Sequence, residues 1–316
     1  MKMNIVPFRE FWADCYSTAI YSILVSKTSI DKLFVYNNNY QYKKTRIDFD
    51  DGNILWSIKS QMDMSHITER VLKNISSINF LDEEEPILVL KSLLYQQKVV
   101  FLGVDIYHWI EDNFNWHRNH FNHYSLINGF NEKTGFFYVL ETGAKGYKEY
   151  EISEKELLNA MKGFTGKNSM IAEVNNDNTE YASYSKKEFV ENARNIINSI
   201  DEIIEMQDVF LVEDDSVKER YWTVLDHVQI HLYEMESRQR ANGLLISNFS
   251  VDNNKNIYVN KFDRLEKKYD NLKNLVLKSN VGRKYISLFD LKSEIIKTLE
   301  KEKEIWQDII YNGLIN

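Results

Sequence analysis

A change of periodicity partway along the chain decides what it can fold into. Up to about residue 174, short apolar runs alternate with amphipathic stretches and glycine-containing turns. Residues 175–184 (NNDNTEYASY) are polar and patternless. Beyond them, apolar residues recur at helical spacing almost to the end. The expected fold is therefore α+β. A mixed segment, residues 1–175, is followed by a helical one, residues 185–316, with residues 175–184 as the linker. At 316 residues the chain is long enough for two cores.

In the second segment, Ser185-x-x-Glu188 reads as a capping box opening a helix to about Met206. Residues 216–242 carry a longer helix, 243–256 read as a break, and 257–279 and 287–311 give two more. This is a four-helix signature. With only Pro7 and Pro86 in the chain, nothing interrupts long helices.

In the first segment, residues 31–50 read as strand and loop, with Leu33–Tyr36 an apolar run. Residues 65–75 and 87–96 read as helices, and 98–104 as a buried strand. Strand 147–152, a helix capped by Ser153-x-x-Glu156 and strand 169–174 complete it. Between these lies the most informative stretch, residues 117–143, HRNHFNHYSLINGFNEKTGFFYVLETG. Two aromatic and β-branched runs flank a turn at 131–135, which reads as a β-hairpin. Side chains alternate faces along a strand, so His123, Ser125 and Ile127 share one face. If Phe130 pairs with Phe136, Glu141 falls opposite Ser125 and diagonal to His123. A slip of one residue would separate them.

A histidine beside a carboxylate is the base and orienting group of a nucleophilic triad. The chain's one cysteine, Cys15, follows Asp14, a plausible N-cap, ahead of apolar residues at helical spacing. At a helix start, backbone N–H groups and the dipole favour the thiolate. A lone cysteine is also commonly a small apolar core residue; the His123–Glu141 hairpin favours the nucleophile. One cysteine permits neither an intrachain disulfide nor a thiolate-cage zinc site. His108, His117, His120 and His123 raise the question of a metal, but no carboxylate recurs at zincin spacing. His227 and His231, one helical turn apart, are a weak metal clip. The expectation is no metal, and no cofactor bound by the chain itself.

A net charge of −8 argues against general nucleic-acid binding. No run of about 18 apolar residues suggests a membrane span, and the charged N-terminal stretch does not read as a signal peptide. The expected localisation is cytoplasmic.

The order of cysteine at a helix start, histidine opening a strand and an acidic residue on the next strand resembles the papain-like cysteine peptidase plan. More narrowly, the chain resembles the butirosin-biosynthesis (BtrH-like) acyltransferase family, whose catalytic domain is similar to C39-type peptidases. The likeness is carried by Cys15-Tyr-Ser-Thr-Ala, Asp105-Ile-Tyr107, His120-Phe-Asn-His123, Gly129-Phe-Asn131 and Glu141, over residues 10–145. Within this group it looks like the amide-forming enzymes of closthioamide-type polythioamide assembly.

The resemblance implies a Cys15–His123–Glu141 triad. It implies transfer of an acyl group from the phosphopantetheine thioester of an acyl or peptidyl carrier protein, through acyl-Cys15, to an amine. A cysteine peptidase or amidase with the same triad is the alternative, and a non-catalytic binding module a third reading. The chain departs from the pattern twice. Glu141 stands where Asp is usual, and no Gln precedes Cys15 as an oxyanion donor, with Arg9 near that place. Asp105 is a second candidate to orient the histidine. Lys43, Lys44 and Arg46 are candidates for docking an acidic carrier.

Overall fold

In the computed structural model, which describes residues 1–48, 54–113, 115–166, 168–175, 184–206, 216–249 and 255–311, the chain is mixed α+β. The described elements are, in order, α1 (Cys15–Lys27), α2 (Leu33–Tyr36), β1 (Tyr40–Asp48), β2 (Ile54–Met62), α3 (Ser65–Val71), β3 (Leu72–Ile78), α4 (Pro86–Tyr95), β4 (Val99–Asp105), β5 (Asn122–Asn131), β6 (Phe136–Gly143), β7 (Gly146–Ser153), α5 (Glu154–Gly163), β8 (Ser169–Val174), α6 (Lys186–Glu205), α7 (Ser216–Phe249), α8 (Lys255–Gly282) and α9 (Leu288–Tyr311). Short 3-10 turns precede α4 and follow β4.

The residues divide into two compact units, one of residues 1–35 and 64–182, the other of residues 36–63 and 183–316. The hairpin of β1 and β2, expected in the first segment, therefore groups with the helices. The expected linker falls outside the described residues apart from Asn175 and Tyr184.

The first unit is built on a six-stranded antiparallel sheet of order β3-β8-β4-β5-β6-β7. Every residue of β4 is buried, as its unbroken apolar run implied. Residues Ser17 to Leu24 of α1 are all buried, so this helix is core on every side rather than amphipathic. It packs against β5 and β6. The chain before it is tied along its length: the N–H groups of Val6 and Phe8 donate to the hydroxyls of Ser26 and Ser22.

In the second unit, α6, α7, α8 and α9 pack around Phe189, Ile196, Phe262, Tyr269, Leu299 and Trp306. Tyr40 and Tyr42 of β1 are buried there too. Glu302 is 0% exposed. It accepts hydrogen bonds from Tyr40 Oη (2.5 Å), Tyr42 Oη (2.6 Å), Gln239 Nε2 (2.7 Å) and Trp306 Nε1 (3.4 Å). Burial pushes its carboxyl up, and these donors pull it down.

Three local expectations are corrected. Residues 33–36 form a helical turn, because Asp31 caps it: its side chain accepts from the Leu33 N–H and its carbonyl from the Phe34 N–H. The helix at 65–75 stops at Val71, and Leu72–Ile78 is a strand paired with β8. Its β-branched residues suit a sheet, and Asn74 (φ 52°) sits in the register shift. The break expected at 243 is helical through Phe249, while residues 250–254 lie outside the described ones. Gly243 is buried, and a Cβ there would lie 3.9 Å from Phe262 Cβ. Packing against α8 outweighs the roughly 1 kcal/mol helix cost of glycine.

Candidate active site

Cys15 is the first residue of α1. Asp14 caps the helix, its Oδ1 accepting from the Ser17 N–H at 2.9 Å and its Oδ2 from Ser17 Oγ at 2.5 Å. The N–H groups of a helix's first turn have no partner within the helix, so that of Cys15 is available to a developing oxyanion.

The hairpin supplies the other two groups through a register that is not uniform. Near the turn Asn131 pairs with Phe136 and Phe130 with Phe137, one residue off the expected pairing. Carried on unchanged, this register would place Thr142, not Glu141, opposite Ser125. A bulge between Ile127 and Gly129 absorbs one residue, and Leu126 then pairs with Leu140. The next pair brings Ser125 opposite Glu141. The bulge is held from outside the hairpin. The Met3 N–H donates to the Asn128 carbonyl (2.8 Å) and the Phe130 N–H to that of Met1 (2.8 Å). The Asn128 side chain exchanges hydrogen bonds with the Ile5 backbone (3.0 and 3.1 Å). Gly129 has φ +144°, and a Cβ there would lie 2.4 Å from the Met1 carbonyl oxygen, so only glycine fits.

Cys15, His123 and Glu141 each bring a polar atom within 4.8 Å of the other two. His123 Nε2 lies 3.0 Å from Glu141 Oε2 and 3.2 Å from Oε1. A ring nitrogen of His123 also lies within 4.8 Å of the Cys15 sulfur, so the imidazole stands beside both groups. Burial opposes charge on His123, but its hydrogen bonds to Cys15 and Glu141 and the negative charge of Glu141 outweigh it. They push the imidazole up to about 10. Burial pushes the Cys15 thiol up as well; the hydrogen bond to His123 works against this, and Glu141 adds to it.

Glu141 is 1% exposed and fully engaged. Oε2 accepts from Trp109 Nε1 (3.1 Å) and Ser125 Oγ, and Oε1 from the Thr142 N–H (2.7 Å). The three side chains have the donor types of a zinc site. With both carboxylate oxygens already taken by N–H and O–H donors, the set is better suited to holding a proton than a cation.

Asp105 lies elsewhere. Its Oδ2 meets His120 Nδ1 at 2.6 Å, and its Oδ1 accepts from the N–H groups of Tyr107 and Phe121 (3.1 Å each). Glu141, not Asp105, faces His123. The imidazole of His120 stacks on Tyr107 with centroids 4.3 Å apart, and that of His117 lies 5.2 Å from the same ring. Among the described residues, His108, His117 and His120 do not bring ligand atoms together as a metal-binding group. His231 Nδ1 is engaged by Ser57 Oγ at 2.9 Å, and burial, with His227 and Lys59, pushes it down to about 4.

Lys43, Lys44 and Arg46 lie on β1, in the unit of the helices, with Lys44 Nζ 4.3 Å from the centre of the Trp56 ring. Arg9 donates from Nε to the Tyr147 carbonyl (3.2 Å).

Reading the sequence did not find Trp109. A buried indole N–H needs an acceptor, but nothing local joins residue 109 to residue 141. Tyr147 was missed too. It is buried near the site, and burial, then the charges of Glu141 and Cys15, push its phenol far up.

Fold and site together define an α+β chain with a Cys–His–Glu constellation at the start of a buried helix. No protein-family model matches this sequence, and no curated protein matches it.

Proposed function

We propose that the first unit is a papain-like, C39-type catalytic domain and that the chain is a cysteine-dependent acyltransferase forming an amide. The observation that carries this is the clustering of Cys15, His123 and Glu141, with the cysteine at a capped helix start. The Cys15–His123 pair sheds one proton as pH rises, and the remaining proton sits on the imidazole beside Glu141, leaving the thiolate. The thiolate attacks the carbonyl carbon of a carrier-protein thioester. The Cys15 N–H faces the oxyanion, and the carrier thiol leaves with the proton from His123.

This first exchange replaces one thioester with another and costs little. An amine then attacks acyl-Cys15 and gives a proton to His123. The C–S bond breaks, the thiolate is reprotonated and the amide departs. Amide formation from a thioester is downhill, so no ATP is required. Glu141 keeps the imidazole in the bridging orientation and stabilises its cation. The donor is an acyl or peptidyl carrier protein, the acceptor a free or carrier-bound amine, in thiotemplated natural-product assembly in the cytoplasm.

The test is intact-protein mass after mixing with acyl-loaded carrier proteins. The expected result is an acyl adduct that maps to Cys15, is absent from Cys15→Ala, and is converted to amide by an amine without ATP. Cleavage of unmodified peptides with no adduct from carrier thioesters would replace this reading with a cysteine peptidase.

A further inference from the structure

Residues 106–112 hold Trp109 between two carboxylates. At one end Asp105, 1% exposed, binds the N–H groups of Tyr107 and Phe121 and the imidazole of His120. Burial opposes its charge, and these hydrogen bonds, His120 first, hold its carboxyl below the ordinary range. The Ile106 N–H also donates to the Phe121 carbonyl at 3.0 Å, closing the neck of the loop. At the other end Asp112 accepts from Tyr150 Oη at 2.8 Å and pairs with Lys148 Nζ at 3.1 Å, both on β7. Its carbonyl accepts from the Ala144 N–H at 2.9 Å, just beyond β6. Trp109, 2% exposed, lies between these anchors with its Nε1 3.1 Å from Glu141 Oε2.

We infer that Asp105 and Trp109 are positioning residues for the Cys15–His123–Glu141 site: Asp105 closes the neck of the 106–112 segment, and the segment delivers an indole N–H that locks the rotation of the Glu141 carboxylate. A carboxylate has a soft terminal torsion. With Oε2 held by Trp109 and Ser125, and Oε1 by the Thr142 N–H, the plane of the group is fixed and directed at His123 Nε2. The pair Asp105–His120, whose hydrogen bonds among the described residues reach neither Cys15 nor His123, then has a use. It is the latch of the segment rather than a second dyad. This inference rests on the triad reading only for its consequence in catalysis; the positioning itself can be tested without turnover.

Trp109→Phe keeps an aromatic ring and removes the donor. Asp105→Asn keeps the shape and removes the charge that holds the neck. The readout is the titration of His123 in the full chain, followed by NMR of labelled histidine rings. The charged and titratable groups facing the site are Cys15 and Asp14 at α1, Glu141 on β6, and Tyr147 and Tyr150 on β7. All of these are left in place.

A carboxylate free to rotate holds the imidazolium less well, so both variants lower the His123 pKa by about one unit, a tenfold loss of proton affinity. A shift in Trp109→Phe with Asp105→Asn unchanged would overturn the latch. An unchanged His123 in Trp109→Phe, with the chain still folded by circular dichroism, would overturn the inference. If Trp109→Phe does not fold, Trp109→His, which retains a ring N–H, replaces it. Recovery of at least part of the wild-type value there, against Asp105→Asn, supports the positioning, and no recovery rejects it. Since none of these readouts needs a substrate, a failed acyl-transfer assay would leave this result standing, and the reverse.

Discussion

Removing the Cys15 thiol should abolish transfer and leave melting nearly unchanged, because the side chain is small and partly exposed. His123→Ala should match it in steady-state turnover. His120→Ala should cost much less, since that side chain is 70% exposed and meets Asp105 rather than Cys15. The reverse order of severity would dismiss the site. Glu141→Gln should slow turnover by less than the roughly 10⁴-fold seen when a comparable triad loses its carboxylate. The Cys15 thiol is pushed up, so alkylation by iodoacetamide should be slow at pH 7 and climb through pH 9. The folded chain also binds the His123 proton more tightly than the unfolded one does. That contribution to stability is complete below about pH 6.5 and is lost as pH rises towards about 10. Thermal melting should fall over this interval, and the fall should be smaller in His123→Ala.

At the scale of elements, the hairpin bulge decides whether His123 and Glu141 meet. The chain presents His123 and Glu141 on one face only because Asn128 takes up one residue of register. Gly129→Ala puts a Cβ into the Met1 carbonyl at a φ that side chains avoid. The expected loss is roughly 1–3 kcal/mol of backbone strain, measured by urea unfolding. Turnover should also drop, because the segment before α1 loses its anchor on the bulge. Full activity in a folded Gly129→Ala would show that the bulge forms without that anchor. The two capping boxes, Ser153 with Glu156 and Ser185 with Glu188, stand where their spacing placed them. Their physics is contained within four residues of chain.

At the scale of the whole molecule, the chain divides into two compact units, and a substitution inside one tests whether it melts alone. Glu302→Ala leaves the Tyr40 and Tyr42 hydroxyls without their acceptor inside the helical unit. Each buried donor left unpaired costs about 1–3 kcal/mol, so the unit's melting should drop well below that of the sheet unit. Calorimetry should then resolve two transitions, with Cys15 alkylation accelerating only in the second. A single transition at lower temperature would mean that the units unfold together.

What the sequence determined by itself was whatever depends on neighbours within a few residues. That includes the helix start at Cys15 with its Asp14 cap, the long helices after residue 184, the strands read at 98–104 and 147–152, and the hairpin carrying His123 and Glu141. Local apolar period and local hydrogen bonds suffice for these. The tertiary structure decided what depends on distant partners. It ended the helix at Val71, because the next residues pair with β8. It carried α7 through Gly243, because α8 packs there, and it placed the β1–β2 hairpin with the helices. It also corrected the register, since the residues that hold the bulge lie more than a hundred positions away. The Trp109 clamp on Glu141 belongs to the same class: a buried N–H and a buried carboxylate must find partners, and only the folded chain specifies which.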